Sequence, residues 1–340
     1  MTASPRVRSV HYLGMPHASW FDGSGVLLGA GCPLPLDAPF TPAQAEMWGV
    51  SRQTLRGLVS AGYVRRVLTG VYAAAQAPDN MARRAQAVAL VVPPSAVVTD
   101  RTAAWLHGVD ILPRTALSVP PPVTVFRATG TRLRRAGVAS GTRGLLPSDV
   151  MDVGGVLVTT PLRTACDLGR LLWRFDALAA IDGFLRLGVD PVLLALQVPR
   201  FKGFRGVRQL RVLVPLGSPR AESPGESALR LHWYDAGLPR PEVQFWVYDD
   251  GGRELYRLDL ALPELRYAAE YDGEEFHTAD DDRAHDERRR DWLNVHGDWT
   301  VDVFKKQDVY GPTAAAPTRL TQGVAEARRV LAVWNARRTA

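Results

Sequence analysis

Residues 259–277 read DLALPELRYAAEYDGEEFH, and the fold of the last third of the chain turns on them. Asp259 lies near the end of a strand-like run, Glu254 to Ala261. Pro263-Glu264 marks a turn. A second strand-like run, Arg266 to Tyr271, leads into Glu270-Tyr271-Asp272-Gly273. Strand side chains alternate faces, so Glu270 and Asp272 point one way and Tyr271 the other. A hairpin over the turn sets Asp259 beside Glu270. Carboxylates gathered on one side of a sheet repel each other unless a cation sits among them. Mg²⁺, or Mn²⁺ in its place, takes oxygen ligands from one or two carboxylates and completes its shell with water and phosphate oxygens. A divalent cation held this way is one means of cutting a phosphodiester. The plainer alternative is a pair of solvated strand-end charges.

Upstream, Glu226 opens a helical stretch that runs to Ala236, with Leu229 and Trp233 on roughly its own face. Glu226 turns either inward to the carboxylates or outward, where the helix dipole favours an acid in the first turn. Val243 to Tyr248 reads as a strand, and Asp249-Asp250-Gly251-Gly252 as its hairpin turn. Downstream of Asp272 come His277, an acidic loop at 280–282, and a helix over Asp286 to Val295. Arg288, Arg289 and Arg290 on that helix are placed to grip a nucleic-acid backbone. Trp299 to Lys305 reads as an inner strand and Gln322 to Asn335 as a closing amphipathic helix.

Glu226, Asp259, Glu270 with Asp272-Gly273, His277 and Arg288-Arg289-Arg290-Asp291 together resemble the PD-(D/E)xK nuclease superfamily. The likeness is strongest to the group related to very-short-patch-repair endonucleases, and it covers Glu222 to Tyr310. It implies an α/β restriction-endonuclease-like domain in which Asp259, Glu270 and Asp272 surround Mg²⁺ or Mn²⁺. Glu226 assists from the preceding helix, and Arg288 and Arg289 contact DNA. One departure matters: the superfamily's lysine, two residues after the glutamate, is Asp272 here. The proton-handling role then falls to His277 or to Lys305.

Toward the N-terminus, Pro215 to Gly225 (PLGSPRAESPG) reads as a linker, dense in Pro, Gly and Ser. Residues 1–38 show no sustained period and read as a loosely ordered leader. At Thr41-Pro42 the pattern changes, with a cap residue followed by proline at the first helical position. The first helix ends near Trp48, Gly49 permits a tight turn, and Ser51 can cap a second helix over Arg52 to Ser60. Val50, Leu55, Leu58 and Val59 form an inner face, while Arg52, Gln53 and Arg56 fall outside. Tyr63 to Leu68, Thr69-Gly70 and Val71 to Ala73 then read as strand, turn and strand.

A helix fits the major groove of DNA with its N-terminal side chains against base edges. The hairpin sets Arg65 and Arg66 near phosphates, where charge gives affinity without sequence choice. Thr41 to Ala75 is similar to the N-terminal winged helix of AbiEi-type antitoxins, transcriptional repressors of type IV toxin–antitoxin systems. Gly49-Val50-Ser51-Arg52 and Gly70-Val71-Tyr72 carry that likeness. It implies double-stranded DNA as a partner and, for the family, a cognate toxin protein. A small protein-contact domain is the alternative.

The middle region, 79–215, alternates helices and short strands. Its Ala103-Ala104-Trp105-Leu106-His107-Gly108 and Arg163-Thr164-Ala165-Cys166-Asp167 resemble signatures of the same antitoxin family. Asp100 or Thr102 is the expected cap of the first of these helices. His107 suits a helix end, where imidazole satisfies terminal carbonyls. Arg132, Arg134, Arg135 and Arg143 fall at turns, as phosphate contacts or as ordinary solvated charges.

The formal net charge of +6 over 340 residues favours a polyanionic partner. Lys202, Lys305 and Lys306 are the only lysines. So strong an arginine bias also arises from GC-rich coding, which makes the charge supporting evidence only. Cys32 and Cys166 lie far apart with no metal-ligand spacing, against a zinc site or a disulfide framework. No run approaches the ~18 apolar residues of a membrane span. The start lacks the pattern of a secretory signal, and a cytoplasmic location is the resulting expectation. The expected architecture is α+β: a winged helix-turn-helix (39–78), a mixed α/β middle region (79–215) and an endonuclease-like domain (222–340). Two functions follow as expectations. One is metal-dependent hydrolysis of DNA. The other is non-catalytic repression by an antitoxin.

Overall fold

A computed structural model of the chain describes residues 18–111, 122–127, 137–248, 251–273, 299–311 and 315–338. They form two compact units, Met1–Thr164 and Ala165–Ala340.

In the first unit, Thr41 caps α1 (Pro42–Met47) through a reciprocal box. Its hydroxyl accepts the Gln44 N–H, and the Gln44 side chain accepts the Thr41 N–H at 2.8 Å. Gly49, at φ +82°, reverses the chain where a side chain would be strained. The Ser51 hydroxyl accepts the Thr54 N–H at 3.1 Å and starts α2 (Arg52–Ser60). β1 (Val64–Leu68) and β2 (Val71–Ala74) then pair antiparallel. Phe40, Val50, Leu55, Leu58 and Val64 are buried together between helices and hairpin. Each such side chain contributes roughly 1.5–3 kcal/mol of burial free energy.

The rest of this unit is a five-stranded mixed sheet with helices α3 (Met81–Ala89) and α4 (Asp100–Leu106). Its strands are β3 (Val97–Val98), β4 (Val123–Arg127), β5 (Val138–Thr142), β6 (Val150–Val153) and β7 (Val156–Thr159), in the order β5-β4-β3-β7-β6. Val88, Val98, Leu106, Val125 and Val158 form its core. Four local details differ from expectation. β6 is an additional strand, because Asp152 and Gly154-Gly155 turn a polar-looking stretch back onto β7. The α4 cap is Thr99, not Asp100 or Thr102. Asp100 instead stands at φ +52° with its carboxylate held by Arg143 at 2.8 and 3.2 Å. Arg143 also lies 4.1 Å from the Phe126 ring centroid, so it is a packed side chain rather than a solvated turn charge. The buried His107 ring donates to the Thr159 carbonyl at 2.8 Å, tying the end of α4 to β7. Arg132, Arg134 and Arg135 lie outside the described residues.

The chain passes into the second unit along α5 (Pro161–Leu171), followed by α6 (Arg174–Arg186), α7 (Pro191–Gln197), α8 (Val207–Leu213) and α9 (Pro224–Asp235). Pro215 to Gly225, expected as a linker, is a held connection inside this unit. Its Ser218 N–H donates to Asp182 on α6 at 2.7 Å, and the Leu216 carbonyl accepts from Arg230 on α9. Arg230 and Asp182 form a fully buried ion pair between α6 and α9. Composition marks a turn-rich stretch, and these buried polar contacts decide that it is not a hinge.

Four strands follow: β8 (Glu242–Tyr248), β9 (Glu254–Leu262), β10 (Tyr267–Asp272) and β11 (Thr300–Lys305). Their order is β11-β10-β9-β8, antiparallel from β8 to β10, with β11 parallel to β10. A short α10 (Lys306–Tyr310) leads to α11 (Ala316–Arg338), longer at both ends than the expected 322–335. Trp233 of α9 stacks on Tyr267 of β10 with centroids 5.6 Å apart, and its indole N–H donates to the Pro239 carbonyl at 2.7 Å. This contact fixes α9 against the sheet and so aims its first turn, which carries Glu226. No described helix is long and apolar enough to cross a membrane.

Candidate functional site

Glu226 and Asp259 come together where the ladders of the second unit's sheet are interrupted. β9 and β10 are in register from Leu262–Tyr267 through Leu260–Ala269. Asp259 and Glu270 occupy the next positions, beyond the last ladder pair. There the Asp259 side chain intervenes, its Oδ2 accepting the Tyr271 N–H at 2.8 Å. β8 and β9 are interrupted at the same level. Their pairing runs from Val243–Leu260 to Phe245–Leu258 and skips Gln244. Gln244 sits at φ +56°, a conformation that costs a side-chain-bearing residue roughly 1–2 kcal/mol.

Glu226 turns inward, 8% exposed. The Ser223 hydroxyl caps its helix by accepting the Glu226 N–H at 3.1 Å, and Pro224 fills the first helical position. At Gly225, a Cβ would fall 2.0 Å from the Tyr271 ring. Only glycine lets the start of α9 approach β10 this closely. Glu226 Oε2 accepts two hydrogen bonds, from the Glu222 N–H at 2.9 Å and from the Gln244 amide at 2.8 Å. The same amide nitrogen lies 3.3 Å from Asp259 Oδ1.

The electrostatics follow from this crowding. Burial, then the neighbouring Glu226, then Glu270 push the Asp259 carboxyl up to about 7, against the pull of the Tyr271 N–H and the Gln244 amide. The side chains expected to hold a cation offer hard carboxylate oxygens, the donor type that Mg²⁺ and Mn²⁺ prefer. Among the described residues, no three His, Cys, Asp or Glu side chains are already drawn together as a metal cage. The Gln244 amide stands between two of the acids.

The remaining expected residues are distributed unevenly. Asp272 is half-buried and lies directly beside the exposed Lys305 in the parallel β10–β11 register. The register thus sets a lysine of the neighbouring strand level with Asp272. His277, Arg288 and Arg289 lie outside the described residues. Gln244 was absent from the expected set. Its only sequence signal is a polar residue inside the apolar run EVQFWVY.

In the first unit, Gln53 and Arg56 are exposed on α2. Arg52 is also exposed, and its Nε donates to Glu46 at 2.8 Å, which orients it toward α1. Arg66 is exposed on β1 with its guanidinium 5.7 Å from the Tyr72 ring centroid. Arg65 is half-buried and donates to the Ala77 carbonyl at 3.3 Å. Arg66 is therefore the better presented of the two hairpin arginines.

Residues 95–216 match the family described as the AbiEi antitoxin C-terminal domain. Over 289 residues the chain is 34% identical to the uncharacterized proteins Rv2248 and MT2308 of two strains of Mycobacterium tuberculosis, covering 82% of this chain and 99% of theirs. The chain belongs to the family of these mycobacterial proteins, and its residues 95–216 are similar to the antitoxin domain. The matched segment includes both motifs singled out above. Arg163 of the second pairs with Asp149 at 2.7 Å, both side chains almost fully buried, and Asp167 pairs with Arg170 at 2.8 Å. These motif charges therefore take part in buried pairs.

Proposed function

We propose that the protein is a DNA-binding regulator of the antitoxin type, with α1, α2, β1 and β2 forming a winged helix. The observation that carries this is the antitoxin domain at 95–216, preceded by a capped two-helix-and-hairpin element that presents Gln53, Arg56 and Arg66 to solvent. In this role α2 enters the major groove, Gln53 and Arg56 meet base edges, and Arg66 contacts phosphate. Arg52 and Arg65 contribute from either side of these contacts. A cognate toxin is the expected protein partner. Val192, Leu193 and Leu196, exposed on α7 within the antitoxin domain, give it an apolar surface. The test is fluorescence anisotropy with duplexes selected from sheared host DNA, as a function of salt. Arg66→Ala is expected to weaken binding evenly across sequences and reduce the salt slope by about 1. Gln53→Ala is expected to relax sequence preference. Unchanged affinity and slope in both variants would remove the winged-helix assignment.

A second function is favoured by one specific observation: Glu226 and Asp259 meet at one Gln244 amide, with the Asp259 carboxyl pushed up to about 7 first by burial and then by Glu226 and Glu270. Such a cluster suits a metal-dependent DNA endonuclease. Asp259 and Glu270 would hold Mg²⁺ or Mn²⁺, with Glu226 or Asp272 assisting, and the bound cation would supply the Lewis acidity for phosphodiester hydrolysis. Lys305, beside Asp272, would place a positive charge against the phosphate, with His277 as the other candidate for handling the proton. Arg288 and Arg289 would hold the backbone. Plasmid incubated with protein and Mn²⁺ or Mg²⁺ tests this. Nicking by the wild type and none by Asp259→Ala/Glu270→Ala is the expected result. Retarded mobility without cutting leaves the regulator alone.

A further inference from the structure

We propose that Glu46 is a positioning residue of the DNA-reading surface, holding Arg52 at the start of α2 so that the two terminal NH₂ groups of the arginine meet a guanine in the major groove. The inference rests on the winged-helix reading above and adds to it a residue pair and a base.

Four observations carry it. First, Arg52 is the first residue of α2, at the end from which a helix in the major groove reaches base edges. Its side chain is 68% exposed. Second, helix stability does not account for an arginine there. The N-terminus of a helix carries partial positive charge and favours an acid, yet the first turn of α2 holds none. Third, Glu46 is the one Asp or Glu between Asp37 and Asp79, a stretch that also carries Arg52, Arg56, Arg65 and Arg66. An acid on a surface that approaches phosphates lowers affinity by its charge alone. This one is engaged by Arg52, whose Nε donates to Glu46 Oε1 at 2.8 Å. Fourth, the bond takes only one side of the guanidinium. Among the described residues Nη1 and Nη2 make no hydrogen bond, and those two groups form the fork that matches guanine O6 and N7.

The turn between the helices fixes the pair. The Gly49 N–H donates to the Glu46 carbonyl at 3.0 Å, and the Val50 N–H to the Ala45 carbonyl at 2.9 Å. With α1 capped by Thr41 and α2 by Ser51, both backbones are set before DNA arrives. An arginine held by a carboxylate has fewer rotamers to lose on entering the groove, and its fork keeps one orientation. In water an exposed pair of this kind contributes little to stability. Its effect therefore falls on which base is read rather than on the fold.

The test measures binding of the full chain by fluorescence anisotropy, to a duplex selected from sheared host DNA and to a random-sequence duplex of equal length. Guanines of the selected duplex are replaced singly by 7-deazaguanine, which lacks the N7 acceptor. In the wild type one such replacement is expected to weaken binding at least about fivefold, and in Arg52→Ala the same replacement is expected to have no effect. Glu46→Ala is expected to bind the random duplex no more weakly than wild type, because a negative charge has gone. It is expected to bind the selected duplex more weakly, so that the ratio of the two affinities falls at least about fivefold. Glu46→Gln, which keeps an acceptor oxygen, is expected to retain part of that ratio. Melting midpoints are expected to match wild type, which separates positioning from a structural role. A ratio in Glu46→Ala that falls by less would overturn the role of Glu46, and affinities that rise together would mark it as a bystander charge. No penalty at any guanine, or one that persists in Arg52→Ala, would overturn the guanine contact. A wild type that does not distinguish the two duplexes would overturn the sequence-reading role of α2 itself, and the wild-type titration tells these failures apart.

Discussion

Two aspartates of the second unit, Asp182 on α6 and Asp259 on β9, are answered in opposite ways. Burial pushes the carboxyl of Asp182 upward, and the Arg230 guanidinium pulls it back, together with hydrogen bonds from Ser218 and Ser227. Its charge is matched inside the protein, and the pair joins α6 to α9. Asp259 also meets burial, but its neighbours Glu226 and Glu270 both raise it further. Among the described residues it accepts a backbone N–H from Tyr271 and a shared amide from Gln244. A charge matched within the fold is architecture. A carboxyl left among like charges is held toward its neutral form instead.

The largest effect is expected where the match is complete. Asp182→Asn leaves Arg230 buried without its counter-ion, and this costs about 3–5 kcal/mol in urea unfolding. A loss below about 1 kcal/mol would show that water reaches the pair, and the contrast with Asp259 would fail.

The second expectation has the opposite sign. Asp259 titrates near 7 in the folded protein against an ordinary value of 3.8. Between these values the folded state holds a proton that the unfolded state has released. Wild-type stability therefore falls as pH rises through this window, and the loss is fully present above it. Asp259→Asn removes the loss. It is expected to stabilise the protein at pH 8 by roughly 1–3 kcal/mol, after allowing for partial exposure of the group. At pH 3.5, with the carboxyl protonated in both states, the gain should disappear. Paired urea melts at the two pH values measure this, and a gain independent of pH would remove the electrostatic account.

Third, Mn²⁺ at ten times its dissociation constant is expected to stabilise wild type by about 1.4 kcal/mol. It should leave Asp259→Asn unchanged. An equal rise in both melting temperatures would place the cation elsewhere. The smallest effect is expected at the rim, where Glu222 and Arg257 pair at 2.7 Å with side chains 50% and 39% exposed. Glu222→Gln should change stability by less than ~0.5 kcal/mol. A larger effect would mean that the rim belongs to the carboxylate cluster, since the Glu222 N–H donates to Glu226.

Much of the local structure was legible in the sequence because it is locally caused. Thr41-Pro42, Gly49 and Ser51 carry their own capping and turn chemistry, and α2 spans the expected Arg52–Ser60. β3 and β7 likewise fall at their expected positions, as short β-branched runs between turn signals. The stretch 215–225 misled, because Pro, Gly and Ser describe a chain that turns, and only contacts from α6 and α9 show that it is pinned. Glu226 could not be oriented from its helix alone, since the dipole favours an acid there whichever way it faces. Gln244 gave almost no signal, because a strained backbone angle leaves no mark in composition.

The sequence by itself determined the capped helices α1 and α2 with the turn between them, the short strands β3 and β7, the two motifs of the middle region, and which residues carry acid or basic groups. Each depends on interactions a few residues long. Only the tertiary structure decided that Asp182 has its counter-ion while Asp259 faces two acids, that Glu226 turns inward, and that Lys305 stands beside Asp272. Those outcomes depend on strand register and helix packing between positions far apart in the chain, where desolvation and Coulomb forces act through distances that sequence spacing does not contain.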